Sequence, residues 1–286
     1  MNAERTNQSD LQIHGARERY RHHVLARIAE AEVGVAPFHH AFIEDIFPTE
    51  LYGALRDHML RFKHSDHVQD RHQDNPKFMN RRYNLSSSTD EPVEHLRTIF
   101  SDPEIKQALI NKFYLHPHNS LTALLTIHEE FEYVFTAAHR VQNIHIDIPP
   151  KFMSFVFYIP EHAVGPIEQE RNATILYDKF LNPNYKTRYT ANSVCIFVPH
   201  FSSYHGFSST TARDVLVMFY INAAEMNRWR SIRQSDKDEP PFTGLLDSIH
   251  DKLRNHPLRQ FEGSEQKLLE ERRACLVNAP QGRILR

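Results

Sequence analysis

From about residue 140 onward, the chain becomes a series of short segments rich in Val, Ile, Phe and Tyr, separated by Pro, Gly or Asn. Repeated short strands with turn residues between them are typical of a β-sandwich or β-barrel. The segments lie at 141–147, 152–159, 173–177, 193–198 and 215–221. We therefore expect a β core at residues 140–222, in a chain that is mainly β with flanking helices (α+β).

Apolar residues at helical spacing predict helices on both sides of this core. The predicted helices cover 11–33, 49–61, 91–100, 103–114, 243–254 and 262–276. Residues 38–47 favour an edge strand, a short strand is expected near 81–86, and the strongly polar residues 63–80 indicate a long loop. Residues 119–139 fit either a helix or a strand. We expect one domain over 1–286, with a mostly helical support at 1–139, the β core, and a helical appendage at 223–286.

Composition narrows the class of protein. Apolar residues make up 40% and charged residues 24%, as in globular domains. The net charge of −2 argues against a nucleic acid or an anionic membrane as partner. Cys195 and Cys275 are too few for a disulfide framework or a thiolate zinc site. No apolar run approaches the ~18 residues of a membrane span and no secretory signal is visible, so we expect a cytoplasmic protein.

The pattern His-x-Asp occurs three times, beginning at His64, His72 and His145. With 20 histidines in the chain, about one copy is expected by accident. The first two copies lie in the polar loop, which cannot hold ligands within the ~0.5 Å that a site requires. The third ends a predicted strand, where residues i and i+2 point to the same face. His145 and Asp147 are therefore the candidate metal ligands.

Two further residues complete a possible iron site. His205 follows the segment at 193–198, in a predicted turn, and Arg213 precedes the segment at 215–221. Two histidines and one carboxylate can hold a divalent iron on one face and leave three positions open. A guanidinium suits the carboxylate of a keto acid better than a lysine does. For each residue alone a surface position is the simpler explanation, but all four in this order favour a metal site.

With this pattern the chain resembles the Fe(II)/2-oxoglutarate-dependent dioxygenase superfamily, in particular its prolyl-hydroxylase-like branch. The likeness covers about 140–222 and, more loosely, 37–48. Residues 173–177 resemble a GTxLY strand, with Ala173 in place of the glycine, and 192–206 resemble the strand that leads to the distal histidine. The Arg-x-Ser arrangement of some branches is missing after Arg213. The resemblance implies a double-stranded β-helix (jelly roll, cupin-like) flanked by helices.

The resemblance also implies roles for individual residues. His145, Asp147 and His205 bind Fe(II), Arg213 pairs with the far carboxylate of 2-oxoglutarate, and Tyr158 can add a hydrogen bond to it. O2 is the remaining cosubstrate, and succinate and CO2 are released. Related halogenases have a small residue in place of Asp147, so the aspartate here indicates a hydroxylase.

The substrate remains open at this stage. The first hypothesis is hydroxylation of a small molecule, such as an amino acid or a natural-product intermediate. Alternatives are a peptidyl or protein (prolyl-type) hydroxylase and a barrel that binds a ligand without catalysis. Arg81 or Arg82 can bind a substrate carboxylate, although an exposed basic pair is the simpler explanation. The sequence leaves open the oligomeric state, and whether the outcome is hydroxylation, desaturation or epoxidation.

Overall fold

The computed structural model describes residues 2–71, 80–114, 127–148, 150–199, 202–223 and 226–227. Within these ranges the helices are α1 Asn2–Glu30, α2 Thr49–Lys63, α3 Glu91–Ser101, α4 Pro103–Tyr114 and α5 Pro166–Arg171. The four predicted helices before residue 115 are thus confirmed, although α1 begins and ends earlier than predicted. The helices expected at 243–254 and 262–276 lie outside the described residues. Among the described helices, none is both long and apolar enough to cross a membrane.

The strands form two antiparallel sheets. They are β1 His40–Ile43, β2 Gln69–Arg71, β3 Asn80–Asn84, β4 Ile127–Thr136, β5 Val141–His145, β6 Lys151–Tyr158, β7 Ile175–Tyr177, β8 Pro183–Lys186, β9 Ser193–Phe197, β10 His205–Ser208 and β11 Arg213–Asn222. A seven-stranded sheet has the order β1-β9-β6-β11-β4-β3-β2, and a four-stranded sheet has the order β5-β10-β7-β8. Apolar side chains of the two sheets pack together in one cluster. This arrangement confirms the predicted double-stranded β-helix with flanking helices.

Strand β11 contributes side chains to both faces of the seven-stranded sheet. Its odd-numbered residues from Arg213 to Phe219 line a cavity between the sheets. Its even-numbered residues Leu216, Met218 and Tyr220 belong to the larger apolar cluster, which includes the helices. Alternate side chains of a strand point to opposite faces, and here both faces are covered. The strand is therefore apolar almost throughout, and its cavity-facing polar residue Arg213 stands out.

The β structure extends beyond the predicted core at 140–222. Strands β1 to β4 precede residue 140 and lie in the seven-stranded sheet, β1 at its edge as predicted. Residues 127–136 of the ambiguous segment are a strand because they pair along their length with β11. Part of the predicted polar loop is also a strand, since β2 pairs with β3 and Asp70 forms an ion pair with Arg81.

A buried ion pair joins α2 to the start of β11. Lys63 donates to Asp214 at 2.7 Å and to Glu161 at 2.6 Å. The Asp214 side chain is only 2% exposed, and its Oδ1 has no hydrogen-bond partner among the described residues. Burial raises the pKa of Asp214, although Lys63 acts in the opposite direction. Lys63 therefore supplies the charge that permits an ionised carboxylate beside Arg213.

Replacing Lys63 with methionine is expected to destabilise the fold by about 3–5 kcal/mol, because Asp214 is left as a buried charge without its partner. Urea denaturation measures this change in the free energy of unfolding. The matched control is Glu161→Gln, which removes the more exposed carboxylate of the same cluster. We expect that control to cost less than about 1 kcal/mol. Equal losses of unfolding free energy in the two variants would contradict the role of Lys63 as the partner of buried Asp214.

Candidate metal centre

The structure brings His145, Asp147 and His205 together. His145 ends β5, His205 opens the neighbouring β10, and the two residues are directly paired. Their ring centres lie 4.2 Å apart. Asp147 follows β5, and its Oδ2 is 4.0 Å from Nε2 of His205. One ligand atom from each side chain lies within 4.8 Å of the others. The three residues thus point to one place.

His205 is held in the orientation that a metal ligand requires. Its Nδ1 lies 3.0 Å from the carbonyl oxygen of Ser203, which can only accept, so Nδ1 carries the proton. The Nε2 lone pair is then directed toward Asp147. Burial lowers the pKa of His205, although Asp147 opposes the shift, and this favours a neutral imidazole. The predicted turn at His205 was wrong: the residue lies in a strand, paired on both sides by His145 and Leu176.

Two residues that sequence reasoning missed fix the carboxylate of Asp147. Lys151 Nζ lies 2.5 Å from Oδ1, and Ser154 Oγ donates to Oδ2 at 2.5 Å. Burial opposes ionisation, but the ammonium of Lys151 holds the pKa of Asp147 well below its usual range. The sequence held one signal for Ser154, a small polar residue within an otherwise apolar strand.

The donor set fits a divalent iron. Two neutral imidazoles and one carboxylate form the facial set that binds non-haem Fe(II) with open positions. In a facial set the donor atoms are adjacent, and metal–ligand bonds of roughly 2.1 Å place them ~3.0 Å apart, so a bound ion would draw together atoms that here lie within 4.8 Å of one another. Among the described residues no other group of three metal-ligating side chains clusters in this way. The His-x-Asp copy at His64 therefore joins no such cluster of described side chains, and the copy at His72 lies outside the described residues.

Arg213 is a buried cation without a carboxylate partner among the described residues. Its Nε donates to the carbonyl of Asn172 at 2.9 Å, and its Nη2 donates to Thr174 Oγ1 at 2.9 Å. The guanidinium lies 3.9 Å from the ring centre of Phe207. Burial lowers the pKa of Arg213, but a guanidinium stays protonated in proteins. A buried charge is costly when unpaired, so this site suits an anionic ligand.

Arg213 and the three candidate ligands line one cavity between the sheets. Its open space is about 650 Å³, which includes the part that is continuous with solvent. Apolar walls come from both sheets, and a few polar groups converge on the space. The other polar lining residues are Asn80, Arg82, Gln142, Lys151, Ser154 and Thr174.

Tyr158 lies behind this cavity. Its hydroxyl donates to Thr174 Oγ1 at 2.6 Å and bonds Thr187 Oγ1 at 2.7 Å, and the residue is fully buried. It is not a lining residue. The structure therefore places Tyr158 in support of Thr174, which in turn bonds Arg213. Sequence reasoning missed this relay because it depends on which segments pack together behind the cavity.

The two basic residues of β3 separate onto opposite faces. Arg82 lines the cavity and donates to Glu132 at 2.7 Å and to Asn80 at 2.9 Å. Arg81 is not a lining residue, and it donates to the carbonyl of Lys63 at 2.9 Å. Of the two predicted substrate residues, only Arg82 lies at the cavity.

Replacing Thr174 with valine tests the relay. We expect the KM for 2-oxoglutarate to rise about 5- to 20-fold, because the guanidinium loses one fixing hydrogen bond worth about 1–2 kcal/mol. The companion variant, Tyr158→Phe, removes a hydroxyl that contacts the two threonines and Arg213 but does not line the cavity, and it should change that KM less than Thr174→Val does. Steady-state succinate formation measures both. A larger effect of Tyr158→Phe would show that its hydroxyl reaches the cosubstrate directly.

Comparisons with known proteins are consistent with this geometry. No model of a known protein family matches the sequence. No protein of curated function matches it either. Among solved structures, a prolyl-4-hydroxylase from Pseudomonas putida superposes with a TM-score of 0.52 at 12% identity, over 70% of this chain and 98% of that one.

A second solved structure gives the same result. It is a prolyl hydroxylase from Trichoplax adhaerens in complex with a hypoxia-inducible-factor peptide fragment, with a TM-score of 0.52 at 11% identity. The match covers 75% of this chain and 94% of that one. At such identities a likeness shows the fold alone. The chain therefore has the double-stranded β-helix fold of these prolyl hydroxylases, as the sequence resemblance predicted.

Proposed function

We propose that this protein is an Fe(II)- and 2-oxoglutarate-dependent oxygenase that hydroxylates an unactivated C–H bond of a small molecule. The proposal rests on one observation: the candidate metal ligands and the buried guanidinium of Arg213 line the same cavity. The His145, Asp147 and His205 cluster suits a ferrous ion, and the buried Arg213, which has no carboxylate partner among the described residues, suits a carboxylate. A keto acid that chelates a metal at one end and has a carboxylate at the other end matches both.

Each residue has a part in this reaction. His145, Asp147 and His205 hold the iron, which together with 2-oxoglutarate and O2 supplies the oxidising power and yields succinate and CO2. Arg213 binds the far carboxylate of the cosubstrate and so fixes its orientation. The apolar side chains of Val215, Val217 and Phe207 line the same cavity and exclude water from it.

The lining of the cavity supports a substrate with a polar or anionic group. Arg82 offers a guanidinium at its wall, already oriented by Glu132 and Asn80. We propose Arg82 as the residue that contacts a polar or anionic group of the substrate. Strands from before residue 140 and after it share one sheet, which supports a single oxygenase domain.

Succinate release tests the proposed activity. Purified protein with Fe(II), 2-oxoglutarate and O2 should release succinate, and free amino acids that fit the cavity should accelerate this release. His145→Ala should abolish it. Acceleration by proline-containing peptides, with none by amino acids, would favour the peptidyl alternative instead. Binding of 2-oxoglutarate without any succinate would indicate a ligand-binding barrel.

A further inference from the structure

The two oxygens of the Asp147 carboxylate have different surroundings. Oδ1 accepts from the ammonium of Lys151 at 2.5 Å. Oδ2 accepts from Ser154 at 2.5 Å and is the oxygen that lies 4.0 Å from Nε2 of His205. A carboxylate oxygen accepts two hydrogen bonds, so Ser154 leaves Oδ2 one lone pair for an ion. Oδ2 therefore faces the imidazole of His205, and Oδ1 faces Lys151.

Lys151 is fixed in this place by more than the carboxylate. It begins β6, its backbone pairs with Ile221, and its Nζ lies 3.5 Å from the ring centre of Phe219. A cation above an aromatic face is attracted by the ring. The Lys151 side chain is only 17% exposed and lines the cavity. These contacts thus fix the ammonium of Lys151 beside Asp147.

The number of carboxylate oxygens that bind the ion decides how many positions stay open. A carboxylate can bind a cation through one oxygen or through both. Three single-atom ligands leave three positions on a six-coordinate ion. A keto acid that chelates takes two of them and O2 takes the third. A second oxygen from Asp147 would remove one of the three.

We propose that Lys151 is a positioning residue that keeps Asp147 a single-oxygen ligand. The proposal rests on the proposed function. The ammonium occupies Oδ1 and repels a second cation from that side, so the ion meets Oδ2 alone. Ser154 fixes the rotation of the carboxylate from the other side. Lys151 in this way preserves the position that the cosubstrate needs.

The variant Lys151→Met keeps an apolar stem on Phe219 and removes the ammonium. Oδ1 is then free to bind the ion. We expect the dissociation constant for Mn(II) to stay equal or fall, since a repelling cation is lost and a ligand atom is gained. The dissociation constant for 2-oxoglutarate on the Mn(II)-loaded protein should rise about 10- to 100-fold, because Arg213 fixes the far end of the keto acid and its chelating end then has to displace Oδ1.

Titration calorimetry with Mn(II), followed by 2-oxoglutarate, tests both expectations on the full chain. The anaerobic absorption of the Fe(II) complex with 2-oxoglutarate gives an independent readout. Lys151→Arg is the matched control, because it keeps a cationic donor, and both constants should stay within about 3-fold of the wild type. Opposite shifts of the two constants in Lys151→Met, with a normal Lys151→Arg, support the proposal.

Two results would overturn it. Loss of both affinities in Lys151→Met would show a merely structural role, and no change in either would show that Lys151 does not control Oδ1. If the wild-type protein binds no Mn(II), the proposed oxygenase function itself is wrong. Failure of that function is therefore distinguishable from failure of the role proposed for Lys151.

Discussion

Replacing Asp147 with asparagine is expected to weaken metal binding by at least ~100-fold. Removal of a residue that only supports a metal ligand costs about 10- to 100-fold, and Asp147 is proposed as a ligand itself. The wild-type site offers an incoming dication one negative charge and two neutral imidazoles. Asparagine removes that charge and leaves the ammonium of Lys151 beside the ion with nothing to balance it. Succinate release should fall about 10³-fold or more, since no step of the reaction proceeds without the iron.

The stabilisation that a bound metal confers measures this loss without any assay of activity. At a Mn(II) concentration of about 100 times the dissociation constant, the wild-type protein gains roughly 2.7 kcal/mol, and a chelator should remove this gain. Asp147→Asn should show almost none. Asp66→Asn is a matched control, because Asp66 ends a His-x-Asp copy that clusters with no third metal-ligating side chain in the part of the chain that the structure describes. A metal-dependent shift that survives in Asp147→Asn would exclude this carboxylate as a ligand.

Local periodicity was sufficient to predict that His145 and Asp147 lie together. The alternation of side chains along a strand placed His145 and Asp147 on one side, and β-rich texture separated them from the copies in polar sequence. What the sequence could not reveal is which strands are neighbours. The pairing of His205 with His145 depends on the order β5-β10-β7-β8, which long-range packing decides. For the same reason β10 was mistaken for a turn.

The supporting residues were beyond sequence reasoning for a similar reason. Strand period says that Arg81 and Arg82 face opposite sides, but only the packed sheets show that Arg82 faces the cavity. Tyr158 lies on a correctly predicted strand, yet its hydroxyl ends on two threonines brought there by other segments. Lys151 follows Asp147 by four residues, and nothing in that spacing indicates a contact outside a helix.

Replacing Arg213 with methionine is expected to raise the KM for 2-oxoglutarate about 10²- to 10³-fold, because truncating one partner of a buried, hydrogen-bonded charge pair costs roughly 2–5 kcal/mol. Metal affinity should be unchanged, since Arg213 touches none of the three ligands in the hydrogen bonds and ion pairs of the described residues. The free energy of unfolding should change by less than about 2 kcal/mol. The variant loses the stabilisation from the hydrogen bonds to Asn172 and Thr174. It also loses the cost of burying a charge that has no carboxylate partner among the described residues, and the two effects offset each other.

Two further variants show which part of the guanidinium matters. Arg213→Lys keeps the charge but offers a single donor point, and it should give an intermediate rise of about 10- to 30-fold. Arg82→Met removes the other lining guanidinium, whose charge is already paired with Glu132, and should leave the KM for 2-oxoglutarate within about 3-fold. Steady-state succinate formation at saturating Fe(II) measures all three. A normal KM in Arg213→Met together with a large rise in Arg82→Met would mean that the cosubstrate enters with its far carboxylate toward β3, which would reverse the orientation proposed for the cavity.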